Sequence, residues 1–174
     1  IDRESILATV YSGDGTIPDG IYPEGLVGYS EANQGWLTYD PEGAKALLAE
    51  AGYADGFEME LASDSSADAS VLLVLQIIQQ NLADVGITAE IVSYDEASWL
   101  DERMSGEMCS FVATWTADYN DPDNFIYTFF GNAENTASRS INYYNAEVMD
   151  RVTAARAIVD EDEAQPLLGP LTRA

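Results

Sequence analysis

The 174-residue chain carries 31 acidic against seven basic residues, a formal net charge of -24, with no histidine and a single cysteine, Cys109. Such acidity argues against nucleic acid and anionic membranes as partners, and the lack of histidine removes Ser-His and Cys-His catalysis and the commonest transition-metal ligand. One cysteine excludes a disulfide framework, and no apolar stretch is long enough to span a membrane.

The first quarter of the chain is predicted to hold two helices separated by a turn-rich segment. Residues 1–10 place apolar side chains on one helical face behind Asp2, a suitable cap. Residues 11–29 are dense in Gly, Pro and Asp and are expected to form an ordered loop. The next helix has both ends encoded, because Asp40 and Pro41 precede it and Gly52 follows it. Since the chain begins within a helix start, we expect it to be a piece of a longer protein.

Alternating strand and helix patterns occupy residues 57–115. Strands are expected at 57–61 and 87–91, each alternating apolar and charged residues, with a helix over 71–85 between them. A second helix, capped by Asp95, leads to a continuous apolar strand at 108–115 that contains Cys109. This order predicts an α/β fold with a parallel β-α-β-α-β core and flanking helices, in which the third strand is internal and buried on both faces.

The polar and aromatic loop after this third strand is the candidate ligand site. Open α/β sheets bind ligands where a strand ends and a helix begins. Here Trp115 and Tyr119 surround the carboxylate of Asp118, and Asp121 with Pro122 starts the next helix. The spacing of the acidic residues does not fit a calcium loop, so neither a metal nor a cofactor is expected.

The last third of the chain is predicted to be mainly helical. A short apolar helix over 125–130 precedes a polar loop at 131–140, and Asn145 caps the following helix. The acidic run 160–163 is expected to be a solvated turn. Residues 164–174 are expected to form an irregular tail.

The chain resembles the bacterial extracellular solute-binding proteins of family 5, the dipeptide- and oligopeptide-binding receptors of ABC importers. The resemblance is strongest in Trp115-Thr-Ala-Asp-Tyr-Asn-Asp-Pro-Asp-Asn-Phe125, in the helix from Tyr39-Asp-Pro to Ala-Gly-Tyr53 and at 78–92. The resemblance covers about residues 1–163 and leaves 164–174 unmatched. It implies a type II periplasmic-binding-protein-like fold of two lobes, of which 1–163 would be a single α/β ligand-binding lobe, the C-terminal one.

The same resemblance implies a function without catalysis. The chain would supply one side of an inter-lobe cleft that binds a peptide or another small solute for import. Its partners would be ABC permease subunits, and the receptor would be a monomeric, extracytoplasmic protein, free in the periplasm or held at the cell surface by a lipid anchor. It would use no cofactor.

Family members also suggest roles for individual residues. The resemblance implies that Asp118 pairs with the α-amino group of a peptide, with Trp115, Thr116, Ala117 and Tyr119 around it. From the loop alone, a structural role is equally consistent, because loop aspartates often accept hydrogen bonds from nearby amides.

One departure from the family concerns the ligand carboxylate. Dipeptide-specific members place an arginine near the positions of Leu72 and Leu73, which are apolar here. The resemblance gives no role to Arg103 or Arg139. It therefore favours longer peptides, or another solute, over a dipeptide held at both ends.

Two other functions remain open at this point. A hydrolase with paired carboxylates, such as a glycosidase, would draw on Asp118, Asp121 and Asp123. An acidic interaction module would instead bind a cationic partner through its surface. The acidity itself is expected to be a solvated exterior, with adaptation to high salt as the alternative.

Overall fold

A computed structural model describes residues 1–31 and 34–168 of the chain, which divides into two compact units. The first unit comprises Ile1–Ile17, Thr38–Asp101 and Met108–Thr114, and the second comprises the described parts of Pro18–Leu37, Glu102–Glu107 and Trp115–Ala174. The elements are α1 (Arg3–Val10), α2 (Pro41–Glu50), β1 (Phe57–Asp64), α3 (Ala69–Ala83), β2 (Ile87–Tyr94), α4 (Glu96–Ser105), a 3-10 turn (Pro122–Asn124), α5 (Ile126–Phe130), α6 (Ala133–Ala137), α7 (Ala146–Ala155) and α8 (Glu161–Leu168). None of the helices in these described ranges has the length and apolar character needed to cross a bilayer.

A parallel pair of strands forms the centre of the first unit, as the sequence predicts. β1 and β2 pair over eight residues, from Phe57 opposite Ile87 to Asp64 opposite Tyr94. The α3 helix connects them and packs on the sheet through Val71 and Leu75, which are buried with side chains of both strands. The α/β architecture is therefore confirmed.

Aspartates start the helices of this unit, and three of these caps, Asp2, Asp40 and Asp95, lie at the predicted positions. The carboxylates of Asp2 and Asp40 accept hydrogen bonds at 2.9 Å from the amides of Ser5 and Gly43. Asp68 and Asp95 cap α3 and α4 in the same way. These contacts satisfy amide groups that the first turn of a helix leaves without an intrahelical partner.

Glycine is required where the two strands begin. Gly56 has a φ of 75°, and a Cβ atom there would lie 1.7 Å from the carbonyl oxygen of Gly86. Any side chain at this position would force the two backbones apart, so the close approach of β1 and β2 depends on this residue.

The third strand is where the prediction is wrong. Residues 108–115 form a single parallel bridge, Phe111 beside Ala62, with hydrogen bonds of 3.0 Å from Ala62 N to Ser110 O and from Val112 N to Ala62 O. The segment lies at the outer edge of β1, since β2 occupies the other edge.

Burial explains the difference. Met108 is buried with Ala62 and Trp99, but Cys109 is exposed and Phe111 is only partly covered. An apolar run becomes a doubly buried strand only if other elements cover both of its faces. Phe111 and Val112 pack against different core clusters but each is only partly buried, and residues 113–114 are exposed, so the apolar composition of this segment overstates its burial.

The second unit is built from short helices around one apolar core. Tyr22, Leu26, Ile126, Val148 and Val152 are among the buried residues of this core. The predicted cap of α7 is confirmed, since Asn145 Oδ1 accepts from Val148 N at 3.1 Å. The polar stretch 131–140, predicted as a loop, contains the helix α6.

The predictions of a solvated turn at 160–163 and of an irregular tail at 164–174 are also wrong in part, because α8 begins at Glu161 and continues to Leu168. Asp160 caps α8 through Glu163 N, so the acidic run begins a helix. Ala164 and Leu168 are buried in the core one helical turn apart, which explains why the chain stays helical despite Pro166. The remainder of the predicted tail, 169–174, lies outside the described residues.

Candidate functional site

The candidate loop is organised around one buried amide side chain, that of Asn124. Asn124 is 3% exposed, and its Oδ1 accepts hydrogen bonds from Trp115 Nε1 at 3.0 Å and from the backbone amide of Asp118 at 3.3 Å. A buried acceptor with two donors fixes the positions of both. Trp115 and Asp118 are therefore brought together by a residue six to nine positions further along the chain.

The acidic residues of the loop have different surroundings. Asp121 caps the 3-10 turn by accepting from Asp123 N at 2.8 Å. Asp123 accepts from Tyr119 Oη at 3.1 Å and pairs with Arg156 Nε at 2.5 Å. The carboxylate of Asp118 makes no hydrogen bond or ion pair within the described residues. Of the three carboxylates, only that of Asp118 is thus left for a ligand.

Four of the five predicted site residues are exposed. Trp115 is 43% and Tyr119 51% accessible, Asp118 and Thr116 are also exposed, and Ala117 is half-buried. The loop backbone is held from inside while these side chains face outward. Tyr119 differs from the others, because its hydroxyl donates a hydrogen bond to the Asp123 carboxylate within the loop.

Trp115 is also the first member of an aromatic cluster. Its ring meets Phe129 edge to face with centroids 5.1 Å apart, and Phe129, Phe130 and Tyr143 continue the contacts. Rings in this geometry pack firmly and attract each other through their quadrupoles. The exposed face of the Trp115 indole is therefore held rigidly.

A cavity of about 460 Å³ lies in the second unit and is bordered in part by the loop. It is bordered by loop residues 119–123, by α7 through Val152 and Arg156, and by α8 through Leu168. Trp115 and Asp118 do not border it. The cavity is consequently separate from the side chains that Asn124 brings together.

Two of the three carboxylates in the loop are engaged in contacts within the protein. Within residues 1–31 and 34–168 there is no cluster of three or more Cys, Asp and Glu side chains positioned to hold a metal ion. Paired catalytic carboxylates need two free groups on opposite sides of a bond. Asp121 and Asp123 are used as a cap and in an ion pair.

Sequence reasoning overlooked the role of Asn124, for which the pattern indicates only a capping position. Its neighbours Asp118, Asp121 and Asp123 are all acidic. The run holds two neutral amides, Asn120, which is exposed, and Asn124, which is buried, so the sequence alone does not single out Asn124.

Comparisons with known proteins agree with this geometry. The family model described as "Bacterial extracellular solute-binding proteins, family 5 Middle" matches residues 1–137. The dipeptide-binding protein of Escherichia coli (strain K12) is 32% identical over 167 residues, covering 94% of this chain and 31% of that protein. Heme-binding protein A of Haemophilus influenzae is 29% identical over 170 residues, covering 96% and 31% respectively. The chain thus spans about a third of the length of these relatives.

Solved structures show the same relationship. A dipeptide-binding protein from Pseudoalteromonas sp. SM9913 in complex with Met-Leu matches 99% of this chain and 34% of its own, with a TM-score of 0.88 and 25% identity. The periplasmic binding protein DppA from Helicobacter pylori, in complex with the peptide STSA, matches 99% and 33% with a TM-score of 0.83 and 27% identity. The expected type II periplasmic-binding-protein architecture is confirmed, and the chain belongs to the bacterial extracellular solute-binding proteins of family 5.

Proposed function

We propose that this chain supplies one side of the solute-binding cleft of an ABC-importer receptor, and that the solute is an oligopeptide. Trp115 and Asp118 contact the solute directly. Asp118 binds its terminal ammonium group, and the indole of Trp115 covers the adjoining backbone. The chain acts by binding and releasing the solute unchanged.

The free carboxylate of Asp118 is the observation that carries this proposal. Its backbone amide is fixed by Asn124, while the carboxylate itself has no partner among the described residues. A loop aspartate with a purely structural role would accept from nearby amides, as Asp121 does. A rigidly placed carboxylate instead suits an incoming cation, because a charge-assisted hydrogen bond is stronger than a neutral one.

Relatives support peptides as the solute class. The Escherichia coli relative is named as a dipeptide-binding protein, and the Helicobacter pylori and Pseudoalteromonas structures contain a peptide. Others are named for heme or glutathione, so the family framework accommodates several solutes. The exposed carboxylate and indole favour a ligand with an ammonium group and an extended backbone.

The proposal also assigns a place and partners to the complete receptor. It works outside the cytoplasm as a monomer, held by a lipid anchor, and delivers its solute to the permease subunits of an ABC importer. Closure of a second lobe over the solute provides the signal to the permease.

Binding by the full-length receptor tests the role of Asp118. Asp118→Asn keeps the shape and removes the charge, so we expect peptide affinity to fall by an amount on the order of 2–5 kcal/mol, mostly through faster release. Asp121→Ala is the matched control: it removes a cap and should lower stability by about 1 kcal/mol with little effect on affinity. Calorimetry and melting temperatures give both quantities.

The 174-residue chain alone should bind peptide weakly or not at all, since small-molecule sites usually enclose most of the ligand. Unchanged affinity in Asp118→Asn would show that the loop is structural. Micromolar binding by the isolated chain would show that a second lobe is not needed for the site.

A further inference from the structure

The carboxylate of Asp123 connects the candidate loop to the helix α7. It accepts a hydrogen bond from Tyr119 Oη at 3.1 Å, and it pairs with Arg156 Nε at 2.5 Å. Tyr119 belongs to the loop, whereas Arg156 directly follows the last residue of α7. The position of the Tyr119 side chain therefore depends, through one carboxylate, on a cation from a distant part of the sequence.

Two contacts close the loop on itself. The backbone amide of Asp118 donates to Asn124, and the hydroxyl of the next residue, Tyr119, donates to Asp123. Adjacent residues at one end of the loop are thus bound to adjacent residues at its other end. Asp118 forms the first contact and directly precedes the residue that forms the second, so its placement depends on both.

The guanidinium of Arg156 is itself held in place by an aromatic ring. Its central carbon lies 3.6 Å from the centroid of the Tyr127 ring, which is close enough for a cation–π contact. This ring has little room to move, because a Cβ atom at Gly131 would collide with it and its hydroxyl accepts from Asn132 Nδ2 at 3.1 Å. Arg156 is therefore a firm support for Asp123.

The charge of Arg156 matters as well as its position. Asp118, Asp121 and Asp123 lie within six residues, and in the described part of the chain only Asp123 has a cationic partner. The side chain of Asp123 is 21% exposed and that of Arg156 is 44% exposed. Without Arg156, a largely covered carboxylate would lack a counter-ion, and turning it toward water would release Tyr119.

We propose that Arg156 is a positioning residue of the solute site. It holds Asp123, Asp123 holds Tyr119, and the closed loop keeps the carboxylate of Asp118 in place before the solute arrives. Arg156 acts without touching the solute. The inference rests on the proposed function and deepens it, because a site that is ordered in advance loses less conformational freedom on binding and so binds more tightly.

Peptide affinity of the full-length receptor tests this role. The probe is STSA, the peptide present in the Helicobacter pylori structure, and calorimetry gives its affinity. Arg156→Gln removes the charge, so we expect binding to weaken roughly 5- to 30-fold. Arg156→Lys keeps the charge but loses the planar group that stacks on Tyr127, so it should recover part of the affinity.

Arg151→Gln is the matched control. Arg151 lies on α7 and donates from Nη2 to the carbonyl oxygen of Leu167 at 3.0 Å, so it contacts α8 rather than the loop. The substitution removes the same charge from the same helix. It should leave the affinity for STSA unchanged, and an equal loss in Arg151→Gln and Arg156→Gln would overturn the inference.

A double-mutant cycle with Tyr119→Phe distinguishes positioning from a general loss of structure. Tyr119→Phe removes the hydroxyl that donates to Asp123 and keeps the ring. If Arg156 acts through this hydrogen bond, Arg156→Gln should weaken binding much less in the Tyr119→Phe receptor than in the parent. Equal factors in both backgrounds overturn the inference. Melting temperatures show which variants fold, and Arg156→Lys carries the same cycle if Arg156→Gln does not.

Asp118→Asn separates this inference from the proposed function. If Asp118→Asn weakens binding and a folded Arg156→Gln does not, Asp118 recognises the amine and only the role of Arg156 is wrong. If Arg156→Gln alone weakens binding, the role of Asp118 is wrong, and Arg156 does not act by placing it. A receptor that does not bind STSA overturns the peptide function and this inference with it.

Discussion

At the scale of single residues, the candidate site depends on Asn124, a neutral amide side chain in an acidic stretch of sequence. The sequence predicted which side chains would form the loop, since Trp115, Asp118 and Tyr119 follow an apolar segment and precede a capped turn. It could not predict that Asn124 turns inward and holds two of them. That depends on burial, and local sequence patterns do not encode which side of a short turn is covered.

Replacing Asn124 with leucine should release the loop. Leucine fills a similar volume but leaves Trp115 Nε1 and the Asp118 amide without their acceptor, so the free energy of unfolding should fall by about 1–3 kcal/mol. Asn124→Asp keeps an acceptor oxygen but buries a negative charge close to other acidic residues, so it should also lower the stability. Urea denaturation measures the loss, and hydrogen exchange of the Trp115 indole proton reports the local change.

Thr136→Val is a control for the loss of a buried acceptor elsewhere. Thr136 is fully buried, and its Oγ1 accepts from Tyr143 N at 2.9 Å. This variant should lower stability by a similar amount and leave the Trp115 indole protected. Equal exchange of the indole proton in both variants would mean that Asn124 has no special role in the loop.

At the scale of elements, local signals were predicted well and contacts between distant segments were not. The caps Asp2, Asp40 and Asn145 depend on amides three residues away, so they can be recognised in the sequence. The edge segment around Phe111 depends on what covers it from elsewhere in the chain. The apolar run indicated a strand, but the structure supplies a single bridge to Ala62.

The register of the two strands places like charges side by side. Glu60 lies opposite Glu90, and both are exposed. Replacing Glu90 by glutamine should raise the free energy of unfolding by roughly 0.5 kcal/mol, because the repulsion is removed. Glu58→Gln is the matched control, since Glu58 lies opposite the uncharged Thr88.

Denaturation at low and high sodium chloride checks the cause of this effect. The increase in stability from Glu90→Gln should shrink as salt screens the charges. An increase of the same size in Glu58→Gln would mean that the register pair is not its source.

At the scale of the whole molecule, the net charge of -24 dominates. Self-repulsion of that size destabilises a compact state, and screening by salt reduces it. We therefore expect the melting temperature to rise steadily with sodium chloride. A variant that carries amides at four exposed acidic positions, Glu58, Glu90, Asp101 and Glu102, should start higher and respond less.

Equal salt responses in the parent and this variant would assign the effect to general salting-out rather than to the charge. Such a result would favour the solvated exterior without any adaptation to high salt. A melting temperature that climbs only in the parent would favour the adaptation.

The single bridge at Phe111 has a consequence for the order of folding. The β1–β2 pairing joins residues about 30 positions apart and the bridge joins residues about 49 apart, a difference worth only ~0.4 kcal/mol in closure entropy. The two closures differ far more in the number of backbone pairs that they form. The first forms a ladder of eight paired residues, and the second forms one bridge.

The β1–α3–β2 segment should therefore form in the folding transition state, and the segment before the candidate loop should be added afterwards. Leu61→Ala should give a high φ-value and Phe111→Ala a value near zero. Stopped-flow folding of both variants measures this, and a high value at Phe111 would place the edge segment in the nucleus. If folding follows this order, the segment around Phe111 is the last part of the first unit to become ordered. The loop that presents Trp115 and Asp118 comes directly after this segment in the sequence.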